Sequence, residues 1–146
     1  MFNNILVVCI GNICRSPTGE RLLKKLLPEK HIASAGIGVE KSRLAGKEAD
    51  PSASQVAEQH GVSLAGHSAE QITSALCAKY DLILVMEKKH IQALSEIAPE
   101  ARGKTMLFGQ WIGQIDISDP YRQSIEAFEH VYQQIDSAAQ AWAKKL

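Results

Sequence analysis

Residues 5–27 combine a short apolar run with a helical pattern that follows it almost at once. Ile5 to Cys9 form a continuous β-prone run, as in a strand that is covered on both faces. Ser16 and Pro17 are typical of a helix N-cap and a first helical position. The helix that follows has one apolar stripe, formed by Leu22, Leu23, Leu26 and Leu27. This segment is therefore predicted to fold as a strand, a tight loop and a helix.

Strands and helices are predicted to alternate along the remaining chain. β-prone runs cover residues 31–35, 81–86 and 104–108, and helical patterns cover residues 50–59, 69–77, 88–97 and 123–145. This alternation predicts an α/β fold with a parallel sheet. Right-handed crossovers would place four strands in the order 2-1-3-4, with helices on both faces. A length of 146 residues suits a single domain, residues 1–146.

The loop after the first strand lies where sheets of this kind bind ligands. The crevice is at the carboxyl ends of the strands, at the switch point between strands 1 and 3. Backbone N–H groups of such a loop can converge on one anion, and the dipole of the following helix adds favourable potential. Gly11 and Asn12 tolerate left-handed conformations, which lets successive amides face inward. The predicted phosphate-binding residues are Ile10, Gly11, Asn12, Ile13, Cys14 and Ser16.

Cys9 and Arg15 give this loop a chemistry beyond anion binding. The electrostatic field that favours phosphate also favours a thiolate, which makes Cys9 a predicted nucleophile. Arg15 supplies a planar fork that can pair two phosphate oxygens as charge builds up during transfer. Ser16 can donate a hydrogen bond to the Cys9 sulfur when that sulfur becomes the leaving group. An isolated cysteine at a strand end would instead be a small buried residue.

Composition and charge exclude several other classes of protein. The formal net charge is zero, so no bulk basicity draws the chain to nucleic acid or to anionic lipid. No Cys-x-x-Cys or His-Glu-x-x-His motif occurs, and we expect no metal or other cofactor. The apolar run at 5–10 is too short for a membrane span or a signal-peptide core. Three cysteines do not suit a disulfide framework, so a cytoplasmic location without stable membrane insertion is expected.

Two motifs at opposite ends of the chain resemble those of one known family. Cys-x-Gly-Asn-x-Cys-Arg-Ser at residues 9–16 and Asp-Pro-Tyr at residues 119–121 resemble the low-molecular-weight protein tyrosine phosphatases. The resemblance covers essentially the whole chain, with further similarity at residues 34–36 and 81–86. Residues 86–88 and 107–111 look most like the enterobacterial members. Gly19, where alanine is usual, and Arg122, where many animal members have a second tyrosine, depart from the family pattern.

The resemblance implies that the protein hydrolyses phosphotyrosine through a phosphocysteine on Cys9. It implies that Arg15 stabilises the transition state, that Asp119 is first the general acid and then the general base, and that Tyr121 flanks the leaving group. A tyrosine leaving group needs a proton donor, but Asp119-Pro120 alone could equally be a turn, as at Asp50-Pro51. By analogy, the partner would be a bacterial tyrosine autokinase that controls capsule and exopolysaccharide export.

Three other functions are compatible with parts of this pattern. A thiol-dependent arsenate reductase would need a relay of cysteines, and only Cys77 lies outside the loop. A phosphotyrosine-binding module without turnover predicts loss of the nucleophile or the acid, yet Cys9 and Asp119 are both present. A phosphocysteine carrier of a sugar phosphotransfer system has no evident need for the late Asp-Pro-Tyr motif.

The roles of two cysteines and one basic segment stay open at the level of sequence. Cys14 is either a resolving thiol that protects Cys9 or a small buried residue. Cys77 lies in a helical pattern, which favours core packing. Residues 37–49 are predicted to form a wall of the cleft, and they either attract an acidic phosphotyrosine segment or form a solvated loop. The basic residues of this segment are Lys41, Arg43 and Lys47.

Overall fold

The computed structural model, which describes residues 2–146, contains one parallel sheet of four strands. The strands are β1 (Asn4–Cys9), β2 (His31–Gly36), β3 (Leu82–Val85) and β4 (Thr105–Leu107). Their spatial order is β2-β1-β3-β4, and every pairing is parallel. The predicted fold class and strand order are therefore confirmed. The central strand β1 ends at Cys9, with β2 on one side and β3 on the other.

Helices cover both faces of this sheet. They are α1 (Arg15–Leu26), α2 (Pro51–Gln59), α3 (Ser74–Cys77), α4 (Lys88–Ile97) and α5 (Ile125–Lys145), with a 3-10 turn at Pro99–Lys104. None of the helices described for residues 2–146 has the length and apolar character needed to cross a membrane.

Alternate side chains of β1 enter two separate cores. Ile5 and Val7 pack with residues of α1, α2 and α5 on one face of the sheet. Leu6 and Val8 pack with residues of α3, α4 and the following turn on the other face. All four side chains are fully buried, which explains why the first strand is apolar throughout instead of alternating. The rigid centre of the sheet thus fixes the position of the loop that follows Cys9.

Two local predictions about the helices are wrong at their boundaries. Helix α1 begins at Arg15 with Cys14 as N-cap, so Ser16 lies inside the first turn and does not cap it. Only Ser74–Cys77 is helical within the predicted segment 69–77. The preceding residues are not helical, and Gln71 instead forms an isolated β-bridge with Gly36 at the end of β2. The predicted start of α2 is confirmed, since Asp50 caps it by accepting from Ser52 N–H at 2.8 Å.

Gly36 lets the chain after β2 pass directly against the loop after β1. A Cβ atom at this position would lie 2.5 Å from the Ile10 carbonyl oxygen, so no larger residue fits. The close approach allows Ile37 N–H to donate to the Cys9 carbonyl and Gly38 N–H to donate to the Ile10 carbonyl, both at 2.9 Å. The loop that begins at Cys9 is therefore held from the β2 side as well as by β1.

Candidate active site

A cleft of about 290 Å³ opens at the carboxyl end of β1. Most of the residues that the sequence nominated contribute to its walls, namely Cys9, Ile10, Gly11, Asn12, Ile13, Cys14, Arg15, Asp119 and Tyr121. Ser16 lies directly beneath, in contact with Cys9. Three lining residues that were not nominated as site residues are Ser42, Leu44 and Arg122. Within residues 2–146 no group of three His, Cys, Asp or Glu side chains is placed to hold a metal ion.

Asn12 holds the loop in shape from the inside. It is completely buried and adopts a left-handed φ of 57°, whereas Gly11 does not have a positive φ. Its side-chain amide donates to Ser16 Oγ at 2.7 Å and to Ser34 Oγ at 3.0 Å, and its Oδ1 accepts from Glu70 N–H at 2.9 Å. His67 hydrogen-bonds to its carbonyl oxygen. Every polar group of Asn12 is thus hydrogen-bonded, which stabilises its left-handed conformation within the loop.

The Cys9 sulfur receives two hydrogen bonds. The Asn12 backbone N–H donates to Sγ at 3.3 Å, and Ser16 Oγ lies 3.0 Å from the same atom. Because the Asn12 amide nitrogen can only donate, Ser16 Oγ accepts from it and directs its own hydrogen at the Cys9 sulfur. The N-terminus of α1 adds a favourable dipole at the same point. This arrangement stabilises negative charge on the sulfur, both in a free thiolate and in a departing one.

A buried carboxylate fixes the direction of this hydrogen-bond chain. Ser34 donates to Glu20 Oε1 at 2.6 Å, so Ser34 Oγ is free to accept from the Asn12 amide. Burial raises the pKa of Glu20, but the hydrogen bonds from Ser34, Lys24 and Arg21 outweigh it and hold this pKa below its usual value. Glu20 is therefore ionised at neutral pH and acts only as an acceptor. Sequence analysis missed Glu20, because nothing local links it to the loop.

Arg15 is oriented by two acceptors on one of its nitrogens. The side chain is 2% exposed, and Nη1 donates to Glu87 Oε2 at 2.5 Å and to the Ile117 carbonyl oxygen at 2.7 Å. Both Nη1 hydrogens are thus engaged, and within residues 2–146 the guanidinium makes no other hydrogen bond. Nε and Nη2 remain as a parallel pair of donors for an oxyanion in the cleft.

Glu87 was missed by sequence analysis. It is the N-cap of α4 and follows β3, the neighbour of β1, so its position at the carboxyl edge of the sheet was the available signal. Burial raises its pKa, but the hydrogen bond and the charge of Arg15 more than offset this and lower it. An ionised Glu87 therefore faces Arg15 from behind the cleft and fixes its orientation.

Asp119 lies at the mouth of the cleft on a segment that is anchored at both ends. Ile117 and Pro120 are buried, and Ile117 N–H donates to the Met86 carbonyl at 2.8 Å. The Asp119 side chain is 49% exposed, with Oδ2 3.9 Å from Arg15 Nη2 and Oδ1 accepting from Tyr121 N–H at 3.0 Å. One oxygen is therefore held by the turn and the other faces the Arg15 guanidinium. The structure brings Asp119 to the same cleft as Cys9.

The three cysteines are free thiols that lie on both faces of the sheet. Cys14 is 6% exposed, lines the cleft and packs in the same core as Cys9. Burial, and after it the negative charge of Asp50, raises the pKa of Cys14, so this thiol stays neutral and poorly nucleophilic. Cys77 is fully buried in the core on the opposite face of the sheet, as predicted.

This fold and this loop together define a class of protein. A doubly wound parallel sheet with a Cys-x5-Arg anion loop after its central strand is the arrangement of an α/β protein phosphatase. The family model for low molecular weight phosphotyrosine protein phosphatase matches residues 4–146, and the chain belongs to that family. The predicted family and enzyme class, a protein-tyrosine phosphatase, are thereby confirmed.

Similar proteins match the chain over its full length. The structure of Vibrio vulnificus Wzb in complex with benzylphosphonate is 70% identical, covers 100% of both chains and has a TM-score of 0.99. The probable low molecular weight protein-tyrosine-phosphatase AmsI of Erwinia amylovora is 59% identical, over 100% of this chain and 99% of its own length. The low molecular weight protein-tyrosine-phosphatase Wzb of Escherichia coli K12 is 57% identical, over 100% and 97% respectively. The resemblance to enterobacterial members is therefore confirmed.

Proposed function

We propose that this protein hydrolyses phosphotyrosine through a phosphocysteine formed on Cys9, with residues 1–146 acting as one catalytic domain. The observation that carries the proposal is the convergence of three groups on one cleft. The Cys9 sulfur receives two hydrogen bonds, Arg15 keeps two donors free, and a carboxylate oxygen of Asp119 lies 3.9 Å from Arg15 Nη2. A nucleophile, an oxyanion clamp and a proton donor are thus within reach of one phosphoryl group.

In the first step the Cys9 thiolate attacks phosphorus and the bond from phosphorus to the tyrosine oxygen breaks. The backbone amides of the loop and the free nitrogens of Arg15 hold the equatorial oxygens as charge spreads over them. Asp119, entering the step protonated, gives its proton to the departing phenolate oxygen. Tyrosine leaves, and the phosphoryl group remains on sulfur.

In the second step water attacks phosphorus and the bond from phosphorus to sulfur breaks. The carboxylate of Asp119, left ionised by the first step, accepts a proton from the attacking water. The Ser16 hydroxyl, already directed at Cys9 Sγ by Asn12, donates to the departing thiolate. Inorganic phosphate leaves, and the thiolate and the protonated Asp119 are restored together.

The walls of the cleft suit an aromatic leaving group. Ile10, Ile13 and Leu44 supply apolar surface, and Tyr121 is a 43% exposed aromatic residue at the rim. Benzylphosphonate, found in the complex of the Vibrio vulnificus relative, is an aryl phosphate analogue whose bridging oxygen is replaced by carbon. Phosphoserine would leave this apolar surface uncovered, so the proposal assigns phosphotyrosine as the substrate.

We further propose a tyrosine autokinase of the capsule and exopolysaccharide export machinery as the phosphoprotein partner, and the cytoplasm as the place of action. The support for the partner is the full-length similarity to the Wzb and AmsI phosphatases. The support for the location is chemical, because a free thiol at Cys9 persists in a reducing compartment.

Hydrolysis of three matched phosphopeptides tests this proposal. With a chelator present, we expect turnover of the phosphotyrosine peptide and release of phosphate from the autophosphorylated kinase. The phosphoserine and phosphoarginine versions of the peptide should be hydrolysed at least about 100-fold more slowly, because neither covers the apolar walls. Equal rates on all three peptides would contradict the substrate assignment, and dependence on added metal would contradict the mechanism.

The rival functions meet specific obstacles in this geometry. An arsenate reductase relay would have to reach Cys77, which lies in the core on the face of the sheet opposite to Cys14. A binding module has no use for Asp119 beside the phosphate donors, since its negative charge opposes anion binding. A carrier that passes its phosphoryl group to another protein has no use for a carboxylate that activates water. The binding module and the carrier therefore leave the Asp119 carboxylate without a role, and the arsenate reductase lacks an accessible relay cysteine outside the loop.

The rim of the cleft carries positive charge that has no acidic partner. Arg122 lines the cleft, packs over the Tyr121 ring at 5.3 Å and forms no ion pair within residues 2–146. Ser42 also lines the cleft, and its neighbours in the chain, Lys41 and Arg43, are exposed. We therefore interpret the basic segment at 37–49 together with Arg122 as a surface that favours acidic residues next to phosphotyrosine.

Acidic peptides should be hydrolysed with a higher kcat/KM than neutral ones, by about two- to fivefold for each flanking carboxylate, as for an exposed ion pair. Arg122→Asn should remove much of this preference, because Asn tolerates the left-handed φ of 63° at this position. The measurement is the ratio of kcat/KM between peptides with Glu and with Ala beside phosphotyrosine, at low and high salt. Arg102→Asn, the same charge change before β4 at the other edge of the sheet, is the control. A preference that survives in Arg122→Asn would refute the interpretation.

A further inference from the structure

His90 has a buried nitrogen that no contact in the protein satisfies. The residue lies in the first turn of α4 and is 1% exposed. Its Nε2 is the one buried side-chain nitrogen or oxygen without a hydrogen-bond partner within residues 2–146. A buried polar atom without a partner destabilises a protein, so such an atom needs a reason. The catalytic steps described above do not use His90.

The contacts of His90 determine which nitrogen carries the proton. Glu87 backbone N–H donates to His90 Nδ1 at 3.2 Å, so Nδ1 is an acceptor and carries no hydrogen. Burial, and after it the positive charge of Arg15, lowers the pKa of His90 to about 4. The ring is therefore neutral at neutral pH, and its single N–H is on Nε2.

The Nε2–H group faces the carboxylate that orients Arg15. Nε2 lies 3.6 Å from Glu87 Oε2, the same oxygen that accepts from Arg15 Nη1 at 2.5 Å. The other carboxylate oxygen, Oε1, lies 3.6 Å from the exposed Lys89 ammonium. Oε2 of Glu87 thus lies between two donors. One is the Arg15 guanidinium, which would hold the phosphoryl group, and the other is the His90 Nε2–H, which is slightly beyond hydrogen-bond distance.

We propose that His90 is a positioning residue for phosphoryl binding: its Nε2–H closes onto Glu87 Oε2 when a phosphoryl group engages Arg15. In the empty cleft, within residues 2–146, Arg15 is the one side chain that donates to Glu87 Oε2 at hydrogen-bond distance. A phosphate bound to Nε and Nη2 of Arg15 is a second anion near Glu87. The positive charge of the guanidinium is then shared between the phosphate and the Glu87 carboxylate. A further donor to Glu87 then becomes stabilising, and the imidazole supplies it without adding net charge. His90 therefore stabilises the occupied site more than the empty one.

The inference rests on the proposed role of Arg15 in phosphate binding, but its test does not require turnover. Inorganic phosphate is titrated into the wild-type protein while the His90 ring is followed by ¹⁵N and ¹H NMR. We expect Nε2 to be protonated and Nδ1 unprotonated, and the Nε2–H proton to move downfield as phosphate binds. A residue that only caps α4 would show no response of Nε2–H to phosphate.

Two variants separate positioning from helix capping. His90→Gln keeps an acceptor for the Glu87 N–H, as in a capping box, and keeps a side-chain N–H donor. His90→Met has similar bulk and neither group. We expect the phosphate dissociation constant to rise about three- to tenfold in His90→Met, as for loss of one hydrogen bond of ordinary strength, and to stay within about twofold in His90→Gln. Thermal unfolding of both variants reports the capping contribution separately.

The outcomes distinguish this inference from the proposed function. A downfield shift together with weaker phosphate binding in His90→Met supports it, even if the protein hydrolyses no phosphotyrosine. Three results would each overturn the inference, even if turnover is fast. They are a proton on Nδ1, a Nε2–H signal that does not change at saturating phosphate, and full phosphate affinity in His90→Met. If His90→Met does not fold, the wild-type titration and His90→Gln decide the question.

Discussion

Cys9→Ser is expected to lower hydrolysis of an aryl phosphate and of a phosphotyrosine peptide by on the order of 10⁴- to 10⁶-fold, the scale found when a catalytic nucleophile is removed. The two donors to Sγ and the α1 dipole favour a thiolate, but they do not ionise an alcohol, which is a far weaker acid. The phosphate-binding donors are untouched, so the variant should still bind inorganic phosphate. Steady-state rates with a chelator present and a phosphate titration measure the two properties.

Cys77→Ala is the matched control for this prediction. It also removes one thiol, but from the core on the opposite face of the sheet, where Cys77 contacts neither the loop nor the cleft. It should lower the free energy of unfolding by about 1 kcal/mol and leave kcat near that of the wild type.

Acid quenching of the wild type during turnover should also trap a phosphoryl group on Cys9. Full activity in Cys9→Ser, or a phosphoryl group on another residue, would contradict the nucleophile assignment.

Apart from Asp119 and Tyr121, which came from the family resemblance, the parts of the site that sequence reasoning found are encoded within one short segment. The Cys9 to Ser16 loop follows a fully buried strand and precedes a helix, and both neighbours are set by local patterns. Its detail was predictable only in part, because the Ser16 hydroxyl contacts the Cys9 sulfur, as anticipated, but does not cap its own helix. A serine before proline has the same local signature in either case.

The parts that sequence reasoning missed depend on contacts between distant segments. Glu87 and His90 meet Arg15 only because β3 lies next to β1 in the sheet. Segment 69–77 has helical composition, yet Gln71 pairs with Gly36 and its side chain donates to the Ile37 carbonyl at 2.8 Å. Tertiary hydrogen bonds of this kind override local propensity, and no periodicity in the chain reports them.

The two Asp-Pro dipeptides illustrate the same limit. Asp50 and Asp119 both precede proline, and sequence spacing does not separate a helix cap from an acid. In the structure Asp50 Oδ1 accepts from Ser52 N–H and Ala53 N–H, so its carboxylate serves the start of α2. Asp119 uses one oxygen in its turn and presents the other to Arg15. Only the folded chain shows that these two carboxylates have different surroundings.

Asp119→Asn is expected to slow hydrolysis most when the leaving group is a poor one. Tyrosine has a pKa of about 10, so its departure as an anion is slow unless a proton is supplied, and general acid catalysis is typically worth ~10²–10⁴-fold. We expect kcat/KM for a phosphotyrosine peptide to fall by about 10³-fold, and for a nitrophenyl phosphate by about 10-fold. Asparagine keeps the turn, because its Oδ1 can still accept from Tyr121 N–H.

A series of aryl phosphates with leaving groups of graded acidity gives the sharpest form of this test. In the wild type the rate should depend weakly on leaving-group pKa, because the proton from Asp119 offsets the developing charge. In Asp119→Asn the dependence should be steep, while Asp50→Asn, the same change at the other Asp-Pro, should keep the weak wild-type slope. Equal losses across the whole series would assign Asp119 to orienting Arg15 instead of to proton transfer, since a lost orientation weakens every substrate alike.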